Sequence, residues 1–152
     1  MSFQNNLVIG KIGEGLISRW LRSRGWNVLP VYEKEIAEKK GPVLYQSEGD
    51  PIVCPDLLCF RPGEVRWIEA KTKSAFTWHR VSSQWVTGID LRHYQEYQKV
   101  DALSDWRVVL LFLHRDGIQA KDSPPGCPSG LFGQTLELLS EKEHHRHGNW
   151  GS

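Results

Sequence analysis

The chain has little sulfur, almost no net charge and no long apolar run. Cys54, Cys59 and Cys127 are its three cysteines in 152 residues. Three thiols cannot all pair within one chain and are too few for a disulfide-stapled scaffold. The expectation is free thiols in a reducing, cytoplasmic setting. A net charge of +1 does not announce a nucleic-acid binder with a strongly basic face, but it leaves room for a local basic patch beside an acidic site. No segment approaches the roughly 20 apolar residues of a membrane span. WRVVLLFLH (106–114) has the length of a buried strand. The opening MSFQNNLVIGKIGEG lacks the apolar centre of a secretory signal. What the chain does have is tryptophan, seven in all, which reads first as packing material. The length suits a single domain, 1–152, with a frayed tail over 141–152.

LVIGKIGEGLISRWLRSRG (7–25) has helical spacing. Val8, Ile12, Leu16 and Trp20 fall four apart, Ile17 and Leu21 widen the stripe, and Glu14 lies off it with Lys11 and Ser18. Gly10, Gly13 and Gly15 weaken the first turns and predict a late start. Gly25 predicts the stop. A short strand follows in WNVLPVYEK, then a charged, irregular stretch from Glu33 to Asp50 with a short strand at VLYQ. PDLLCF and VRWIEAK read as strands joined by the turn dipeptide Pro62-Gly63. AFTWHRV and SQWVTGI read as shorter strands. DLRHYQEYQKVDALS reads as a helix with Asp90 as N-cap. LFGQTLELL near the end is a last strand or a helix, and either a core element or the interface of a homodimer. The fold class is α/β (α+β), a central mixed β-sheet flanked by helices in the order αβββαβ.

The hairpin carries the chemistry. If Pro62-Gly63 is a two-residue loop, Arg61 faces Glu64 and the register places Asp56 opposite Glu69. Opposed residues share a face with Cβ atoms roughly 5 Å apart, and Lys71 joins them two residues on. Two carboxylates at about 5 Å repel by ~3 kcal/mol at an effective dielectric near 20. A sheet gains nothing from that arrangement unless something positive sits between them. Lys71 is one answer. A hard divalent cation, Mg²⁺ with Mn²⁺ as substitute, is a better one, because one ammonium leaves oxygen lone pairs free. The bland alternative is an exposed strand face with solvated charges.

Pro55-Asp56 followed by Glu69-Ala70-Lys71, with Glu14 on the first helix, resembles the PD-(D/E)xK nuclease superfamily. Within it the chain is most similar to small resolvase-type and phage-type nucleases. The resemblance extends from the first helix to the strand WRVVLLFLH. It implies a restriction-endonuclease-like core and Mg²⁺-dependent DNA cleavage, endonucleolytic and of the Holliday-junction-resolvase or phage type. It implies Asp56, Glu69 and the Ala70 carbonyl as metal ligands, Lys71 as the group that positions water or stabilises the phosphate, and Glu14 as a further catalytic residue approaching from the helix, a ligand of the same or a second metal through water. Lys11, Lys73, Tyr94, Gln95 and Gln98 are candidate nucleic-acid contacts, with Arg19 and Arg22 beside Lys11. Gln95 and Gln98 remain alternatives for the polar group that the second helix adds to the site. A non-cleaving DNA-binding module, or the nuclease subunit of a recombination or restriction complex, are the alternative functions. His79 and His93 could serve acid–base chemistry or contact phosphate, and neither is assigned a role. A zinc site from the three cysteines with His144, His145 and His147 is not expected, because Cys54 and Cys59 lie within one strand. The aromatic run from Phe76 to Trp85 suits packing better than base stacking.

Overall fold

The computed structural model describes residues 3–31, 42–73, 76–114 and 123–142. In chain order its elements are α1 (Phe3–Ser23), β1 (Asn27–Pro30), β2 (Val43–Leu44), β3 (Ile52–Val53), β4 (Leu57–Arg61), β5 (Glu64–Lys73), β6 (Thr77–His79), β7 (Gln84–Val86), α2 (Leu91–Leu103), β8 (Arg107–His114), β9 (Gly130–Thr135) and α3 (Leu136–Glu141). Five strands form one mixed sheet in the order β1-β4-β5-β8-β9, and β2–β3 and β6–β7 are small two-stranded ribbons. Neighbours in the sheet run antiparallel except β5 and β8, which are parallel. A parallel pair needs a crossover, and α2 lies on it. LFGQTLELL divides into strand and helix, with the Thr135 hydroxyl accepting the Leu138 N–H as the cap of α3. Among the described residues, no helix is long and apolar enough to cross a membrane. The predicted tail falls almost wholly outside the described residues.

Each face of the sheet carries its own core, because successive residues of a strand point to opposite sides. Leu57, Cys59, Ile68 and Leu111 pack with Ile17 and Leu21 of α1. Trp67, Leu110 and Phe112 pack with Tyr94, Tyr97 and Val100 of α2. Within the aromatic run, half-buried Phe76 stacks on His114 at 3.7 Å, and half-buried Trp78 meets Trp85 edge to face across the β6–β7 ribbon.

Two expectations for α1 are corrected. The helix runs through all three glycines from Phe3, and its buried line is Gly13, Ile17 and Leu21. Ile12, Leu16 and Trp20, the expected core stripe, are 49, 39 and 40% exposed. The physical reason is Gly13. A Cβ there would stand 1.7 Å from Thr72 Oγ1 and 2.8 Å from Thr72 Cβ, so only glycine lets α1 lie this close to β5. Tertiary contact outweighs the propensity cost of about 1 kcal/mol for glycine within a helix. Gly13→Ala should therefore destabilise the protein by about 1–2 kcal/mol in denaturant melts. Overpacking costs roughly 1–3 kcal/mol and exceeds the propensity gain. Thr72→Ala in the same chain should recover part of the loss, and a stabilised Gly13→Ala variant would refute this packing.

The hairpin has the expected register. Gly63 takes the positive φ of +78° that its turn requires, Arg61 pairs with Glu64, and the pairing continues to Leu57 opposite Ile68. There β4 ends, while β5 continues to Lys73 with, among the described residues, only β8 beside it. Hydrogen-bonding direction alternates along an antiparallel strand. Glu64, Arg66 and Ile68 aim their backbone groups at β4, so Ala70 and Thr72 aim theirs into the space that β4 has vacated.

Candidate active site

The open edge of β5 collects the charged groups. Asp56 precedes β4 and is held from several directions. Its N–H donates to Glu69 Oε2 at 3.2 Å, and its carbonyl accepts the Val31 N–H at 2.8 Å. Just upstream, the Val53 N–H donates to Glu96 of α2 at 2.9 Å, and the Cys54 N–H donates to the Pro42 carbonyl at 2.9 Å. Lys71 Nζ lies 2.6 Å from Glu69 Oε1. Glu69 is 1% exposed, and a carboxylate that deep persists only with partners. Lys71, the Asp56 N–H and Tyr97 are those partners.

The electrostatics follow from crowding. Burial, then the charge of Glu69, pushes the Asp56 carboxyl up to about 8; Glu14 adds to the rise and Lys71 opposes it. Burial also works against the Lys71 ammonium, but the charge and hydrogen bond of Glu69, with Asp56 and Asp90, outweigh it and hold Lys71 above its usual range. Glu14 comes from α1 on the other face of the sheet. The Gly13–Thr72 approach brings it to the place where β4 is missing, and there its charge is felt by Asp56.

The remaining expected contacts scatter. Lys73 donates to the Gly88 carbonyl at 2.5 Å and so ties the segment before α2 to the end of β5. Burial, then Lys71, depresses its ammonium, with Asp90 opposing. Lys11, Arg19 and Arg22 are exposed on α1. Tyr94 is buried and pairs its hydroxyl with Ser140 of α3. Gln95 is exposed. Gln98 lines a cleft with Asp101, Glu137 and Glu141 along the C-terminal half of α2. None of these three is what α2 brings to Glu69. That residue is Tyr97, whose phenol is raised far above its usual range by burial and by the charge and hydrogen bond of Glu69.

Tyr97 was absent from the sequence reading, as were Asp90 as a charge near Lys71 and His93 as its neighbour. The signal was present in the buried line Tyr94, Tyr97, Val100, whose middle member falls over β5. Asp90 does occupy the N-cap position, but its side chain makes no capping bond. Tyr97→Phe should lower stability by about 1–2 kcal/mol, the cost of leaving a buried acceptor short of a donor, and should reduce turnover in the assay described below. Tyr94→Phe should leave turnover unchanged. Equal kinetic effects would remove Tyr97 from the site.

The donor set suits a hard cation. Asp56 and Glu69 present carboxylate oxygens, and the Ala70 carbonyl points into the same open space. Among the described residues, no group of three or more His, Cys, Asp or Glu stands close enough to hold an ion alone. Two carboxylates and a carbonyl would need water and substrate oxygens to complete the shell, as Mg²⁺ commonly does. Sulfur ligation does not fit. Cys54 and Cys59 belong to cores on opposite faces of the sheet, and burial pushes their thiols up to about 11 and 12. His144, His145 and His147 lie outside the described residues. No protein-family model, curated protein or solved structure matches this chain, so any assignment stands on the acid–lysine cluster itself.

Proposed function

We propose that the protein is a Mg²⁺-dependent DNA nuclease of restriction-endonuclease-like, PD-(D/E)xK type, acting in the cytoplasm as a resolvase-type or phage-type endonuclease in recombination or repair. The observation that carries this reading is the buried Glu69 carboxylate between Asp56 and Lys71 at the open edge of β5. Asp56, Glu69 and the Ala70 carbonyl would hold the ion. When bound, it supplies Lewis acidity toward a phosphoryl oxygen and a lower pKa for water. Glu69 fixes Lys71, and the charged ammonium stabilises the negative charge growing on the phosphate. Tyr97 and the Asp56 N–H hold Glu69 in one orientation, which preserves that geometry without reorganisation.

A second reading, a DNA-binding module that does not cleave, draws on one observation: both Glu69 oxygens already have protein donors. A nicking assay with Mg²⁺ on linear duplex, single-stranded and four-way-junction DNA separates the two. Cleavage of any of them, lost on chelation, is the expected result. Tight binding without cleavage of any substrate would favour the module.

A further inference from the structure

We propose that His93 is a catalytic residue of this site, accepting through Nε2 the proton of the water that attacks the phosphodiester; the role rests on the hydrolytic reading above. His93 lies in the first turn of α2, the helix packed on the same face of the sheet as Glu69 and Lys71. Its ring stacks on Tyr97, with centroids 5.9 Å apart and planes 19° from parallel, and Tyr97 faces Glu69. The imidazole is thus stacked on the residue that orients the cluster's central carboxylate, within reach of the charges of Glu69 and Lys71.

The two ring nitrogens are not equivalent. Nδ1 is enclosed and has no hydrogen-bond partner among the described residues, and the Asp90 carboxylate lies 4.0 Å from it. A carboxylate in that direction favours the proton on Nδ1 and leaves Nε2 as the accepting nitrogen. The side chain keeps 30% of its surface exposed, so the ring is reached by water although Nδ1 is enclosed. The charged and titratable groups facing the ring are Lys71 and Glu69 from β5, Asp90 from the segment before α2, and Arg92 and Tyr97 from α2 itself. Burial, then Lys71, holds the imidazole below its usual range; Arg92 adds to this, and Glu69 and Asp90 oppose it. The ring is neutral at pH 7 and able to accept a proton. Lys71 keeps its proton and cannot.

The step balances with no further reactant. The water oxygen bonds to phosphorus, one of its protons passes to Nε2, and the bond from phosphorus to the leaving oxygen breaks. The leaving alkoxide takes a proton from solvent. The imidazolium, opposite Asp90, returns its own proton to solvent.

His93→Gln keeps a polar group at the position but cannot shuttle a proton. It should lose about 10²-fold in kcat, at the lower end for a general base, with KM within a few-fold and, at Mg²⁺ high enough to keep Asp56 ionised, the acid limb of the pH–rate profile abolished. Imidazole in the buffer should restore part of the His93→Ala rate, which a merely structural role would not allow. Nitrogen NMR of the metal-free wild type supplies a readout apart from activity and should show His93 protonated on Nδ1. A His93→Gln variant with the wild-type rate and pH profile, or a ring protonated on Nε2, would overturn the role while the hydrolytic reading stood. A wild type that cleaves none of the three substrates would overturn both.

Discussion

Replacing Asp56 with asparagine is expected to raise the melting temperature of the metal-free protein and to abolish Mg²⁺-dependent cleavage. Asp56 and Glu69 are crowded together at the proposed cation site, and without a cation the crowding is a cost. The sign follows from the direction of the shift. An unfolded Asp ionises near 3.8, whereas burial and Glu69 raise the folded group to about 8. Between those values the folded state holds a proton that the unfolded state has released, so wild-type stability falls as pH rises through that window. Asparagine has no such titration. The two proteins should melt together near pH 4 and diverge up to pH 8. The gap should reach a few kcal/mol, or on the order of 10 °C for a chain of this size. Added Mg²⁺ should raise the melting temperature of the wild type and not of the variant. A variant that melts lower at pH 8 would show that Asp56 supports the fold.

Lys71→Met should act with the opposite sign on stability. Met retains most of the apolar stem but removes the only cation in contact with Glu69 among the described residues. A buried carboxylate that loses its partner costs about 3–5 kcal/mol, lessened here by the Asp56 N–H and Tyr97. Melting of the metal-free protein should drop, and Mg²⁺ should restore part of it by taking the place of the ammonium. Turnover should fall by about 10²–10³-fold, the scale of losing one electrostatic stabiliser of the transition state, while Mg²⁺ affinity measured calorimetrically holds or improves. A parallel loss of Mg²⁺ affinity would mean that Lys71 organises the ligands rather than the reacting phosphate.

The opposite outcomes expected for Asp56 and Lys71 rest on geometry that was legible in the sequence. The register of β4 and β5 follows from one turn dipeptide and simple alternation, so the pairing of Asp56 with Glu69 and Lys71 could be derived residue by residue. The phase of α1 could not. Its contact with β5 centres on Gly13, which adds nothing to a hydropathy pattern, so Ile12, Leu16 and Trp20 stood out while the buried line ran one residue later. The contribution of α2 was hidden for a different reason. Tyr94, Gln95, Tyr97 and Gln98 are all polar enough to serve, and only the position of the helix over β5 separates Tyr97 from the others. Lys73 shows the limit of reasoning from charge alone: on the strand it looks free to meet phosphate, but its ammonium is occupied by Gly88.

The unpaired stretch of β5 bears on solubility as well as chemistry. Ala70 and Thr72 aim backbone donors and acceptors into a space where no strand lies beside them among the described residues, and such an edge invites a strand from another molecule. Glu69, Lys71 and Lys73, alternating with them along the same strand, act as gatekeepers, because a docking strand would have to strip water and partners from three charges. Neutralising these residues together would leave a strand better suited to intermolecular pairing than to catalysis. In this chain the charges that would do chemistry also guard the edge against self-association.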